Sequence, residues 1–415
     1  MMQTDNINEA AKRAEADCAG VFAEIDKNTE QCSIKVLDAF RDNRVAAADL
    51  NGTTGYGYDD AGREKLDKIT AQVFGAEDAL IRHNFTCGTH TLAVALYGVL
   101  RPSDTVLCVT GTPYDTIHPV FGLGGPDGSG SLADLGVKYR QVELKDNVSP
   151  DLAEIERQLK NDSSIRMVYV QRSRGYSRRP SLSTDDIQSI SSCVHDIRPD
   201  AVVMTDNCYG EFTCMREPCD AGADLCAGSL IKNPGGGIAR TGGYIAGRHD
   251  LVELCAYRLT TPGLGREVGA TLDMNRELFM GLYNAPSAVG NALKTAVFSS
   301  RLFELLGYNV SPHYLDKRND IVQQIDLLSD KALIAFCKGL QSASPVDSFA
   351  TPEPWAMPGY DCDVIMAAGT FTLGSSIELS GDGPLKEPYT VFMQGGTNYF
   401  TAKAGVVSAA YALKK

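Results

Sequence analysis

The sequence predicts a doubly wound α/β protein, in which a domain built on a mainly parallel sheet is followed by a smaller α+β domain. Between about residues 63 and 255, short and almost continuously apolar strands alternate with helical stretches. This pattern is typical of a parallel sheet with helices on both faces. After about residue 285 the alternation is replaced by helices followed by short strands. We therefore predict a helical arm over residues 1–50, a large α/β domain over 51–285 and a small C-terminal domain over 286–415.

Each element follows from its own pattern. Residues 7–40 are polar and rich in alanine, with apolar positions at helical spacing, and predict one or two helices. The large domain is predicted to contain the helices "REKLDKITAQVF", "GTHTLAVALYGVL", "LAEIERQLK" and "TDDIQSISSCVHDI". Its predicted strands are "DALIR", "TVLCVT", "IRMVYV", "AVVMTDN", "ADLCAGSL" and "GGYIAG". The C-terminal domain is predicted to contain the helices "NALKTAVFSSRLFELL", "RNDIVQQIDLL" and "KALIAFCKGLQ", then strands around "DVIMAAGTFT" and "SIELSG".

Composition limits the function. The net charge of −13 argues against nucleic acid as a partner, and no block of Lys and Arg offsets it. We find no leader peptide and no apolar run of the roughly 18 to 20 residues that cross a membrane, so we expect a cytoplasmic protein. The 12 cysteines are scattered without the close pairs of zinc sites, and predict reduced thiols and no metal. A small metabolite is the expected ligand.

The residues just after each predicted strand carry the most information, because ligands bind beyond the carboxyl ends of strands in such sheets. All of these loops are polar or rich in glycine. In chain order they are "HNFTCGTH", "GTPYDT", "QRSRGYSRRP", "DNCYGEF" and "SLIKNPGGG". Since the ends of parallel strands meet at one edge of the sheet, we expect these loops to form one site.

Six residues of these loops suggest one ligand. Gly88 and Thr89 open a helix and offer N–H groups and a hydroxyl to an anion, and Ser229 is placed to reach the same anion. Asp206 ends an apolar strand, where a carboxylate needs a cation. Tyr114 offers an aromatic face, and Lys232 an amine whose pKa we expect partial desolvation to lower.

A phosphate-bearing aromatic cation with an aldehyde meets all of these groups, and that molecule is pyridoxal phosphate. Each feature alone has an ordinary reading. A Gly-Thr pair is most often just a helix start, Asp206 could cap a helix, Tyr114 could lie in a turn, and Lys232 could be a solvated lysine. Their order and spacing favour the cofactor site.

Longer blocks of the chain carry a family resemblance. They include "GYGYDDAGREKL", "CGTHTLAVAL", "TDNCYGEF", "GADLCAGSLIKNPGGGIARTGGYIAGR", "MPGYDCDVIMAAGTFTLGSSIELSGDGP" and "QGGTNYF". With them the sequence resembles the fold-type I pyridoxal phosphate enzymes of the cystathionine lyase and methionine γ-lyase superfamily. It is most similar to the branch known as the methionine γ-lyase family or aluminium resistance proteins.

The resemblance implies a role for each residue of the site. It implies that Lys232 forms the Schiff base, that Asp206 pairs with the pyridine nitrogen, and that Tyr114 stacks on the ring. The phosphate would be held by Cys87, Gly88, Thr89 and Ser229. Relatives usually have serine where Cys87 stands, and a thiol is the weaker donor.

The resemblance also leaves two contacts open. In better-known members a Tyr-x-Arg element reaches the phosphate across a dimer interface, and here only Tyr56 of "TTGYGYDD" is a candidate. Those enzymes also bind the substrate carboxylate with an arginine of the small domain, but the last arginine of this chain is Arg318. A guanidinium remains the expected partner for a carboxylate, and the candidates are Arg172, Arg174 and Arg240.

The implied activity is a carbon–sulfur lyase that performs β- or γ-elimination on a sulfur amino acid such as cystathionine, methionine or cysteine. Transamination, γ-replacement and aldol cleavage stay open, because the cofactor-binding residues serve all of them. A cofactor-binding protein with a stress role and little turnover is a third reading. The resemblance further implies a homodimer or homotetramer with its active sites at the dimer interface.

Overall fold

The computed structural model of the protein describes residues 2–357 and 360–414. Its helices are α1 (Met2–Asp42), α2 (Ala61–Phe74), α3 (Gly88–Val99), α4 (His118–Phe121), α5 (Leu152–Asn161), α6 (Thr184–Ile197), α7 (His249–Leu259), α8 (Asn275–Leu305), α9 (Asp330–Gln341) and α10 (Tyr399–Ala412). Its strands are β1 (Asp78–Arg82), β2 (Thr105–Cys108), β3 (Lys138–Gln141), β4 (Ile165–Gln171), β5 (Val202–Asp206), β6 (Leu225–Ser229), β7 (Gly243–Gly247), β8 (Asn309–Ser311), β9 (Gln323–Asp326), β10 (Val364–Ala367), β11 (Ser380–Pro384) and β12 (Thr390–Gln394). In these two ranges no helix has the length and apolar character that crossing a membrane requires.

A mixed sheet of seven strands forms the centre of the large domain, in the order β1-β7-β6-β5-β4-β2-β3. Strands β3, β2, β4, β5 and β6 pair in parallel, and β7 runs antiparallel to both of its neighbours. The predicted doubly wound, mainly parallel sheet is therefore confirmed. Strand β3, which covers residues 138–141, was not predicted, because its side chains lie at a sheet edge and are largely exposed.

The parallel strands are buried on both faces. Every residue of the strands β2, β5 and β6 is buried, so exposed and buried residues do not alternate along these strands. Separate apolar cores lie on the two sides of the sheet: Cys108 and Met204 face one of them, and Val109 and Val203 the other. The ends of β4, β5 and β6 are consequently fixed in place by cores on both sides.

A second, antiparallel sheet lies in the C-terminal part, in the order β10-β11-β12-β9-β8. The prediction of a helix over "RNDIVQQIDLL" (318–328) is wrong, because residues 323–326 form strand β9 between β12 and β8. Its buried glutamines obtain partners there, as Gln323 donates to Pro312 O at 3.2 Å. The prediction of a strand at "SIELSG" (376–381) is correct only at its end, because β11 begins at Ser380.

Two long helices link the parts of the chain. The N-terminal segment forms one continuous helix, α1, which packs along α8. Helix α8 is 31 residues long and begins at Asn275, well before the predicted start. It therefore runs through the predicted domain boundary at 285/286, and the division into three domains stays a prediction.

Candidate active site

One cavity collects the loops that follow the parallel strands. Its volume is about 240 Å³, and the residues of the C-terminal sheet close its far side. The lining includes these predicted residues: Cys87, Gly88, Thr89, Tyr114, Asp206, Ser229 and Lys232. They come from the start of α3 and from the ends of β2, β5 and β6, as expected for strand-end loops that meet at one edge of the sheet.

The start of α3 and the end of β6 form an anion-binding corner. The first N–H groups of a helix have no intrahelical partner and lie at the positive end of its dipole, and here they belong to Gly88 and Thr89. The Ser229 hydroxyl faces this corner, buried and without a hydrogen-bond partner among the described residues. A β-carbon at residue 88 would lie 3.3 Å from the Cβ of Ser229, so glycine keeps the corner open.

Cys87 and Thr89 contribute to this corner in different ways. Cys87 is the N-cap of α3, and its Sγ accepts a hydrogen bond from His90 N at 3.4 Å. Its thiol is therefore occupied in the helix cap. The Thr89 hydroxyl lies 2.8 Å from the Thr116 hydroxyl, which holds it at the cavity wall.

Asp206 ends β5 at the floor of the cavity. Its carboxylate accepts hydrogen bonds from Cys208 N at 3.1 Å and from Tyr169 Oη at 3.4 Å. Burial raises its pKa, and the positive charge of Lys232 opposes that rise. A buried carboxylate with so few donors favours a cation beside it.

Lys232 follows β6 and is enclosed by aromatic and acidic groups. Its Nζ lies 4.2 Å above the centre of the Tyr209 ring. The predicted fall in its pKa is wrong for the protein without a ligand. Burial does act to lower the pKa of Lys232, but the acidic groups of Cys208, Tyr209 and Asp206 outweigh it and raise the pKa above its ordinary value. The sequence indicates that Lys232 is partly desolvated, but it does not indicate which side chains the fold brings next to it.

Tyr114 follows β2 and presents its ring to the cavity. Its backbone N–H donates to Gln171 Oε1 at 2.6 Å, and its hydroxyl hydrogen-bonds to that of Tyr360. Burial, with Tyr360 and Asp382 nearby, raises the pKa of the Tyr114 phenol well above 10. Tyr114 is therefore protonated at neutral pH and can donate a proton into the cavity.

Sequence reasoning missed several lining residues. From the large domain these are Gln171, Ser173, Tyr176, Cys208 and Tyr209, and from the C-terminal part Ser375, Asp382, Phe392 and Gln394. The first group lies in or next to the loops quoted above and could have been found from that position. The second group comes from distant segments that only the folded chain brings to the cavity.

The structure places the three candidate arginines outside the cavity lining. Arg172 is fully buried, and its guanidinium donates to Asn207 Oδ1 at 2.7 Å and to Thr213 Oγ1 at 3.2 Å. Arg174 is also buried and donates to Ser311. Arg240 pairs with Glu277 at 2.7 Å, with a side chain that is 68% exposed. That one of them binds the substrate carboxylate stays a prediction, and these positions do not favour it.

Tyr56 likewise lies away from the described cavity lining. It is 72% exposed, and its ring stacks on that of Tyr58 at 5.4 Å. That it contacts the phosphate from a second subunit, and that the protein is a homodimer or homotetramer, stay predictions.

Comparisons with known proteins identify the family and the fold of this chain. The family model for methionine gamma-lyase matches residues 7–414. A crystal structure of a carbon–sulfur lyase involved in aluminium resistance from Clostridium novyi NT is 48% identical, with a TM-score of 0.94, covering 98% of this chain and 95% of that one. A candidate cystathionine beta-lyase involved in aluminium resistance from Clostridium acetobutylicum is 45% identical, with a TM-score of 0.96, over 99% of this chain and 96% of that one.

The sequence of YnbB, an uncharacterised protein of Bacillus subtilis (strain 168), is 43% identical over 403 residues, which are 97% of this chain and 95% of that protein. The predicted fold class and family resemblance are confirmed by these matches. Because the family model covers almost the whole chain, the chain belongs to the methionine gamma-lyase family.

Proposed function

We propose that the protein is a pyridoxal phosphate-dependent carbon–sulfur lyase that eliminates a thiol from a sulfur-containing amino acid. The observation that carries the proposal is that Lys232 and Asp206 share one cavity with the buried Ser229 hydroxyl, which lies near the start of α3 and has no hydrogen-bond partner among the described residues. The family, and the description of the Clostridium novyi relative as a carbon–sulfur lyase, support the same reaction class.

The residues of the cavity fit this cofactor. Ser229, Thr89 and the N–H groups at the start of α3 would hold the phosphate, which supplies the acceptor that the Ser229 hydroxyl lacks. Asp206 would accept a hydrogen bond from the protonated ring nitrogen. The Tyr114 ring would pack on the face of the pyridine, and the Lys232 amine would hold the aldehyde carbon.

When bound, pyridoxal phosphate supplies an electron-withdrawing ring that stabilises the negative charge left at the substrate Cα after deprotonation. The Asp206 carboxylate keeps the ring nitrogen protonated, and this neutralises one of the groups that raise the pKa of Lys232. The Lys232 amine would then be able to take the proton from the substrate Cα.

We assign to Tyr114, which lines the cavity, the role of proton donor to the departing sulfur. As the carbon–sulfur bond breaks, the electron pair stays on sulfur, and the Tyr114 hydroxyl donates a proton to it. The remaining fragment of the substrate leaves as ammonia and a 2-oxo acid after it adds water. The raised pKa of Tyr114 keeps this proton in place until sulfur departs.

The reaction class is tested by incubating the purified holoenzyme with a panel of amino acids and measuring thiol, ammonia and 2-oxo acid. Release of all three supports elimination. Exchange of amino groups without thiol would indicate transamination instead. If no amino acid gives any product, while the cofactor is bound, the chain is a cofactor-binding protein with little turnover and the proposal is wrong.

Ser229→Ala tests the phosphate corner. The substitution removes a hydroxyl that has no partner without the cofactor, so we expect the apoprotein to keep its stability. The affinity for pyridoxal phosphate should fall by about tenfold or more, as for the loss of a hydrogen bond to a charged group. Titration of the apoprotein with cofactor, followed by absorbance, measures this change.

The matched control is Ser191→Ala, because the Ser191 hydroxyl on α6 is also buried and has no partner in the part of the chain that the structure describes, but Ser191 does not line the cavity. It should leave the cofactor affinity unchanged. Equal affinities in the wild type and in Ser229→Ala would exclude Ser229 from the phosphate site.

Tyr114→Phe separates the two roles of this residue. The variant keeps the ring, so the cofactor affinity should stay within about threefold, but it loses the proton donor, so kcat should fall on the order of 100-fold. Tyr114→Ala should lower the cofactor affinity as well. Steady-state thiol release and cofactor titration measure the two effects. The control is Tyr97→Phe, which removes a hydroxyl that donates to Gly130 O and belongs to a residue outside the cavity lining. An unchanged kcat in Tyr114→Phe would contradict the assignment.

A further inference from the structure

A buried carboxylate on the far side of the cavity has no role in the chemistry above. Asp382 lies in β11, 4% exposed, opposite Phe392 of β12. It accepts hydrogen bonds from the Tyr176 hydroxyl, from Ser375 Oγ at 3.2 Å and from Gln394 Nε2 at 3.1 Å. All three of these donors are neutral. Burial raises the pKa of this carboxyl, and the three hydrogen bonds together with the positive charge of Lys232 oppose that rise.

The charges of the cavity are unequal. The described residues that line it include two carboxylates, of Asp206 and Asp382, one lysine, Lys232, and neither arginine nor histidine. In the proposed function, Asp206 faces the ring nitrogen and Lys232 the aldehyde carbon. Asp382 is then left as the carboxylate of this described lining to which the cofactor chemistry assigns no partner.

Aromatic rings surround this carboxylate. We call Tyr176, Tyr360 and Phe392 the aromatic cluster, and Tyr114, whose ring is assigned to the pyridine, borders it. The centre of the Tyr176 ring lies 5.0 Å from that of Phe392, 5.5 Å from that of Tyr360 and 5.9 Å from that of Tyr114. Aromatic faces attract cations through their quadrupole, and rings beside a carboxylate are the chemistry that recognises an organic ammonium group.

We infer that Asp382 and the aromatic cluster bind an ammonium group at the far end of the substrate's sulfur substituent. The inference rests on the proposed function and names its substrate class, which is amino acids whose sulfur substituent carries an amine. Cystathionine carries such an amine, beside a second carboxylate that must point away from Asp382, whereas methionine, with a neutral methyl group, does not carry one. The same carboxylate repels the substrate's α-carboxylate, which must therefore face another wall of the cavity.

Two substrates that differ in one group test this inference. S-(2-aminoethyl)-L-cysteine ends in an ammonium, and S-propyl-L-cysteine has a methyl group in its place. For the wild-type holoenzyme, kcat/KM for thiol release should be at least about tenfold higher with the aminoethyl compound, because a buried charge would otherwise stay unpaired. Dissociation constants from the absorbance change on mixing give a second readout that needs no turnover.

Asp382→Asn removes the charge and keeps the shape. It should lower kcat/KM for the aminoethyl compound and leave that for the propyl compound unchanged. The two kcat/KM values should then lie within about threefold of each other. Asp363→Asn, at an exposed position before β10, is the control and should keep the preference. If Asp382→Asn does not fold, the ratio of kcat/KM for the two substrates in the wild type decides the inference by itself.

Equal kcat/KM values for the two compounds in the wild type would overturn the inference. So would an equal loss with both compounds in Asp382→Asn, which would assign Asp382 to structure or to proton transfer through Tyr176. Thiol release from other amino acids but from neither of these two would also overturn it and leave the proposed function standing. If no amino acid releases a thiol, the proposed function itself fails.

Discussion

Lys232→Ala is expected to abolish thiol release, with a loss on the order of 10⁴-fold or more, because it removes both the covalent attachment point and the base. The purified variant should also lack the visible absorbance, at about 420 nm, that a covalently attached cofactor gives. Steady-state thiol release and an absorbance spectrum measure the two effects. Both are expected because the Lys232 amine lies in the cavity with Asp206 and Ser229.

Lys232→Arg distinguishes the chemical role of the Lys232 amine from the effect of its positive charge. It keeps a cation beside Tyr209 and Asp206, so the electrostatics of the site persist, but a guanidinium cannot hold the aldehyde carbon. We expect it to be as inactive as Lys232→Ala. Lys68→Ala, at an exposed position on α2, should behave like the wild type. A Lys232→Ala protein that folds, as judged by circular dichroism, and keeps its absorbance band would show that another lysine holds the cofactor.

The half of the site that belongs to the parallel sheet could be predicted from the sequence. Lys232, Asp206 and Tyr114 each follow an apolar strand, and the ends of parallel strands meet at one edge. Their convergence follows from local patterns and one rule of topology. The order of the strands was not needed, because every parallel strand ends at the same edge.

The other half could not be predicted in this way. Asp382 and Gln394 reach the cavity through an antiparallel sheet, in which adjacent strands run in opposite directions and the pairing register decides which residues face the site. The wrong prediction of a helix over 318–328 has the same cause. The local pattern of this segment is helical, but pairing with β12 and β8 makes residues 323–326 a strand. A charged residue inside the short segment "SGDGP" was the available signal for Asp382.

Electrostatic properties were the least predictable. The sequence indicated a desolvated lysine and thus a lowered pKa, but the direction is set by the groups that the fold brings next to it. Tyr209 and Cys208, which were not singled out, combine with Asp206 to raise the pKa of Lys232. The arginine expected to bind the substrate carboxylate stays a prediction, and Arg172 donates to Asn207 and Thr213, partners that its loop sequence did not indicate.

Asp206→Asn has the second largest expected effect. The substitution keeps the size of the side chain and an oxygen that can accept from Cys208 N, but it removes the only carboxylate proposed to face the ring nitrogen. Without that charge the nitrogen is not held protonated, and negative charge at Cα is less stabilised. We expect kcat to fall by about 10²- to 10³-fold, as when one preorganised electrostatic group is removed.

Thiol release measures kcat, and cofactor titration should reveal weaker binding in the same variant. The control lies at the other end of the same strand: Asp200 precedes β5, its side chain is 73% exposed, and Asp200→Asn should leave both quantities unchanged. Asp206→Glu, which keeps the charge but displaces it, should recover part of the rate if charge matters more than position. An Asp206→Asn enzyme with wild-type kcat would mean that the ring nitrogen does not need a carboxylate, and the electrostatic basis of the site would have to be sought elsewhere in the cavity.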